Sequence, residues 1–136
     1  MLNPEEREAL IDQALQARQW AYAPYSKYAV GAALLAESGI IYSGANIENA
    51  AYPVSICAER VAAFTAIHQG ERRFKAIAVA SENGGTPCGS CRQVLAEFGL
   101  ETLVLIVDHE GNVDKEMRLA DLLPDAFKPS DLGYSV

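Results

Sequence analysis

The chain has 136 residues, half of them hydrophobic and 21% charged, which suits one domain with one core and argues against disorder. Its formal net charge is −7 and its pI 4.7, so nucleic acid and anionic membrane, both gripped through positive charge, are poor partners. Three cysteines cannot all pair within one chain, and residues 1–6 carry neither a basic nor an apolar leader. The longest apolar runs, at 29–36 and 103–107, are too short to span a bilayer. The expectation is reduced thiols in a cytoplasmic protein.

Residues 4–22 read as a helix. Asn3 is a suitable cap, Pro4 takes the first helical position, and Glu5 and Glu6 favour the positive end of the dipole. Ala23-Pro24 ends it. Strands over 28–36 and 40–45, joined at Ser38-Gly39, form a hairpin, and 46–53 is a polar loop. An alanine-rich helix over 57–70 stops at Gly70. Buried strands follow at 76–81 and 102–107, separated by a helix over 88–98 that ends at Gly99. A short strand over 113–117 and a short helix over 119–123 precede the tail. Helices alternating with buried strands imply a mixed sheet of about five strands with helices on its faces, an α/β/α arrangement within one domain spanning 1–136.

Two of the cysteines fall in Pro87-Cys88-Gly89-Ser90-Cys91, and the third lies in Cys57-Ala58-Glu59-Arg60. Both groups sit where helices start. There, unpaired N–H groups and the macrodipole favour anions, and a thiolate is an anion. Cys88 and Cys91, three apart, share a helix face. If the two helix starts converge, three thiolates meet. Three protein ligands and one open position are the pattern of a catalytic zinc site; a structural site normally closes with four. Glu59, two residues past Cys57, is then a candidate general base and acid.

With those residues in view, the chain resembles a short-chain cytidine deaminase with an all-cysteine zinc site, over nearly its whole length. The resemblance also covers Tyr25 to Ala33, Asn46-Ile47-Glu48-Asn49-Ala50-Ala51-Tyr52, Arg92-Gln93 and Leu122 to Phe127. Zinc deaminases as a class pair such a cysteine set with a glutamate that is not a ligand. The resemblance implies that Cys57, Cys88 and Cys91 hold one zinc per chain. Glu59 would carry protons from water to the cytosine ring and then to the departing ammonia. Asn46 and Glu48 would bind the ribose 3′-hydroxyl, and the backbone of Ala58 would contact the pyrimidine. Tyr28 stands where relatives often have a phenylalanine near the base. Arg60 would hydrogen-bond the thiolates. Phe127 would reach a neighbouring subunit's site in a homotetramer. The implied reaction is zinc-dependent deamination of cytidine and 2′-deoxycytidine in pyrimidine salvage.

The residues alone leave other readings open. Cys88-Gly89-Ser90-Cys91 between a strand and a helix fits a thiol–disulfide redox pair. Cys57 alone reads as an inert core cysteine. Glu59-Arg60 reads as a surface pair, and Asn46 and Glu48 as turn residues. A structural zinc module completed by His68 or His109 is a further reading, as is a deaminase of another cytosine-bearing compound.

Overall fold

The computed structural model describes residues 2–135. Helix α1 spans Pro4–Ala17. It starts on a reciprocal cap: Asn3 Oδ1 accepts from the Glu6 amide at 2.8 Å, and Glu6 Oε1 accepts from the Asn3 amide at 3.1 Å. Strands β1 (Gly31–Ala36) and β2 (Ile41–Ala45) form the expected hairpin. Helix α2 (Ala58–His68), strand β3 (Phe74–Ala80), helix α3 (Gly89–Ala96) and strand β4 (Leu103–Val107) follow. Strand β5 (Val113–Arg118) and the single turn of α4 (Leu119–Leu122) complete the order.

The sheet runs β2-β1-β3-β4-β5. Its β3–β4 pair is parallel and the other three pairs are antiparallel, so the sheet is mixed as expected. Side chains alternate across it with period two. Ala33 and Leu35 of β1, Ala76, Ala78 and Ala80 of β3, and Leu105 and Val107 of β4 pack with Leu10 and Ala14 of α1. Ala32, Leu34, Ile77, Val79, Val104 and Ile106 face the other way, among Ala58, Ala62, Ala63 and Ala66 of α2 and Leu95 of α3. Helices thus cover both faces, and the small residues let them sit close. Gly44 of β2 marks the tightest crossing near the site. A Cβ there would lie 2.6 Å from the Ala62 amide nitrogen and 2.9 Å from the Ala58 carbonyl oxygen.

Most boundaries fall within two residues of the sequence expectation, and the two larger differences share one reason. The first helix does not reach Tyr22; after a 3-10 turn at Arg18–Trp20 the chain extends. The Tyr22 amide donates to the Asn46 carbonyl at 2.9 Å, and its carbonyl accepts from the Glu48 amide at 2.8 Å. Residues 28–30 are likewise outside β1. Asn46 occupies them: its Oδ1 accepts from the Val30 amide at 2.9 Å and its Nδ2 donates to the Tyr28 carbonyl at 2.8 Å. One side chain there does the work of a neighbouring strand. Among the described residues no helix is long and apolar enough to cross a membrane.

Candidate metal centre and active site

Helices α2 and α3 both begin at cysteine. Cys57 and Cys88 are the cap residues, each with extended backbone and neither making a side-chain capping bond. Cys91 lies in the first turn of α3 and is fully buried. The two helix starts converge. The Cys57 and Cys88 sulfurs are 3.8 Å apart and those of Cys88 and Cys91 3.6 Å, and all three lie within 4.8 Å of one another. Tetrahedral zinc with bonds of about 2.3 Å holds its sulfurs about 3.8 Å apart, so the cluster fits that ion. Neither His68 nor His109 belongs to it.

The charge environment prepares the thiols. A hydrogen bond from Cys91, then one from Arg60, outweighs burial and holds Cys57 at about 5, well below an ordinary thiol. Cys91 is pushed the opposite way, chiefly by its hydrogen bond to Cys57, then by burial and the charge of Glu59. Of this pair Cys57 is the readier thiolate, and metal binding at Cys91 displaces a proton. Arg60 Nη2 donates to Cys57 Sγ at 3.5 Å.

Glu59 is 4% exposed. Burial first, and the Cys57 charge after it, raise its carboxyl to about 7. A group poised there both takes and gives a proton near neutrality.

Cys57, Glu59 and Cys88 open onto a cleft of about 350 Å³, a size typical of small-molecule sites. Tyr28, Asn46, Glu48, Cys57, Ala58, Glu59 and Cys88 all line it. The polar loop meets the metal centre through an antiparallel bridge. Ile47 and Ile56 exchange both backbone hydrogen bonds, at 3.0 and 2.9 Å, which sets Glu48 beside the entry to α2. Glu48 accepts from the Tyr25 amide at 2.9 Å, from the Ser26 amide at 3.1 Å and from the Ser26 hydroxyl. Those donors hold its carboxyl below the usual range, the Ser26 hydroxyl most.

Phe127 is not brought into this cleft; it is 58% exposed. The cleft also gains residues that sequence reasoning did not single out. Ser81, buried at the end of β3, accepts from the Gly85 amide at 2.9 Å. Gly85 and Thr86 line the wall leading to Cys88, and Asn83 accepts from the Tyr28 hydroxyl. Nothing in the sequence marks Ser81 or Asn83, since both are ordinary residues of a strand end and a turn.

Residues 4–107 match the family model described as the cytidine and deoxycytidylate deaminase zinc-binding region. The chain belongs to this family. As a family member it is a zinc-dependent hydrolytic deaminase, and the three-thiol cluster is where one zinc ion fits. The cytidine deaminase of Sporosarcina psychrophila is 50% identical over 131 residues, covering 94% of this chain and 96% of that protein. That of Halalkalibacterium halodurans is 45% identical, covering 94% and 98%. Among solved structures, cytidine deaminase from Burkholderia pseudomallei superposes with a TM-score of 0.84 at 46% identity, covering 88% of this chain and 98% of the other. The cytidine deaminase of Mycobacterium tuberculosis gives 0.77 at 42% identity, covering 88% and 95%. Family membership sets aside the redox and purely structural readings of the cysteines.

Proposed function

We propose that this deaminase converts cytidine and 2′-deoxycytidine to uridine and 2′-deoxyuridine with release of ammonia, in pyrimidine salvage. The observation that carries the reading is the cleft itself. The buried Glu59 carboxyl and the thiols of Cys57 and Cys88 share one cleft with Asn46 and Glu48, and its volume has room for a base and a sugar.

Bound zinc supplies a Lewis acid that makes water nucleophilic near pH 7. Glu59 takes a proton from the attacking water and delivers it to ring N3 while the water oxygen bonds to C4. It then passes the second water proton to the exocyclic amine, the C4–N bond breaks, and ammonia leaves. Glu48 accepts from a sugar hydroxyl, and Asn46 shapes the same end of the cleft by fixing Tyr28 and Val30. The Ala58 backbone contacts the pyrimidine and Tyr28 covers the base. Arg60 balances the thiolate charge. A neutral nucleoside needs no phosphate-binding cations, which agrees with the net charge of −7.

In this reading residues 1–136 form a single domain, and the enzyme is a cytoplasmic homotetramer. Phe127, exposed and outside its own chain's cleft, completes the pocket of a neighbour. Exposed Tyr22, Tyr25, Ile47, Tyr52 and Val54 give the apolar surface that such an assembly covers.

The test is ultraviolet-monitored cytidine turnover by protein assayed for zinc, with sedimentation in parallel. One zinc and active turnover are expected, at a mass of about four chains by family resemblance. Glu59→Gln should keep the zinc and lose about 10²- to 10⁴-fold in kcat. A zinc-loaded parent that leaves cytidine untouched but deaminates another cytosine compound would move the substrate assignment.

A further inference from the structure

Arg92 and Gln93 directly follow the buried thiol Cys91, and each side chain reaches the C-terminal segment, Arg92 while also bonding the loop ahead of Cys88. Arg92 Nη1 donates to the Leu122 carbonyl at 2.8 Å, and its Nε donates to the Pro87 carbonyl at 2.7 Å. Gln93 Nε2 donates to the Phe127 carbonyl at 3.0 Å. Helix α3 therefore grips the tail at two points. Between them Leu123 and Ala126 pack against the core, and Asp125 turns the chain in the left-handed region at φ 54°. At the end of this anchored segment the Phe127 ring stands in solvent. With the backbone already held, docking this ring costs side-chain rotamer freedom but little backbone entropy.

We propose that Gln93 is a positioning residue for the pocket of a neighbouring copy: it lies two residues from its own chain's metal thiol and acts, through Phe127, on a different active site. This rests on the reading that Phe127 completes a neighbour's pocket. Each α3 then serves two sites, its own through Cys91 and the next through Gln93. Arg92 fixes the root of the same tail but also holds Pro87 beside Cys88, so Gln93 is the cleaner probe.

The experiment separates the two sites by mixing chains. Gln93→Ala alone should keep parental zinc content and oligomer mass and raise KM for cytidine by about 2- to 10-fold, the range expected for one hydrogen bond, with kcat little changed. Gln93→Ala chains are next co-expressed with differently tagged Glu59→Ala chains and purified through both tags. The working sites then belong to Gln93→Ala chains, but intact neighbours supply Phe127. KM should return toward the parent value. A KM that stays raised means that Gln93 acts on its own site, and overturns the proposal, as does an unchanged KM in Gln93→Ala alone. Phe127→Ala mixed with Glu59→Ala in the same way reports on the shared site. Rescue there without rescue of Gln93→Ala sinks only the role of Gln93. No rescue in either, or a fully active monomer, sinks the shared-pocket reading and the proposal with it.

Discussion

The Tyr28 hydroxyl donates to Asn83 Oδ1 at 2.6 Å, joining the segment ahead of β1 to the loop that leads into Cys88. The Asn83–Pro87 loop is held on its other side by the Gly85 amide bonding Ser81 Oγ, and a Cβ on Gly85 would come within 2.7 Å of the Tyr28 oxygen. The extra hydroxyl at position 28 thus has a partner, and it ties two walls of the cleft together. Tyr28→Phe keeps the ring and removes the tie. Because the bond is solvent-accessible, the loss should sit near the lower end of the usual net value of about 0.5–1.5 kcal/mol. Chemical denaturation and KM for Tyr28→Phe, Asn83→Ala and the double variant should give a non-additive cycle. Additive effects would mean that the two walls are held independently.

Arg60 brings a permanent charge to sulfurs that carry three negative charges once metallated. Arg60→Gln should leave the fold intact and weaken zinc retention or turnover by about 10- to 100-fold, as removal of such outer partners typically does. Zinc release to a chromogenic chelator, measured beside cytidine turnover, checks this. Parental values in both would reduce Arg60 to a structural donor.

Glu48 sets an acid-side prediction. Its carboxyl is lowered in the folded chain, so it binds a proton less readily folded than unfolded. Its stabilising effect is complete above the unfolded value of about 4.3 and fades as pH falls through the lower folded value. The thermal midpoint of the parent should therefore drop more steeply below about pH 4.3 than that of Glu48→Gln. Matching acid limbs would show that the contacts with Tyr25 and Ser26 do not favour the charged form.

At Gly44 the helix that carries Glu59 crosses β2 with no room for a methyl group. Gly44→Ala must push α2 outward, at a cost of about 1–3 kcal/mol for overpacking. A lower melting temperature is expected together with a fall in kcat, because the displaced backbone also carries Cys57. A parental melting temperature would mean that the crossing is softer than its distances imply.

The sheet and the metal centre were legible because each rests on a local rule. Short continuous apolar runs at 32–36, 76–80 and 103–107 mark strands buried on both faces, and Cys57 and Cys88 precede apolar helical runs. What the sequence hides is where one side chain replaces secondary structure. Asn46 reads as a turn residue, yet it supplies the bonds that keep 28–30 out of β1, and its backbone carbonyl draws Tyr22 out of the first helix. Asn83 escapes notice for a related reason: its importance depends on the phenol of Tyr28, distant in sequence. Phe127 lies outside its own cleft, so no reading of one chain's contacts gives it a task.

The two uncapped helix starts carry a lesson for protein engineering. Where most helices open on serine, threonine, aspartate or asparagine, α2 and α3 open on cysteines that make no capping bond. Replacing Cys57 with aspartate would give α2 an ordinary cap, worth about 0.5–2 kcal/mol, and remove a metal ligand in the same stroke. A directed-evolution campaign selecting metal-free protein for heat tolerance would thus be drawn toward dead enzymes. Selection for durability in this scaffold has to be run with zinc present and with catalysis scored at every round.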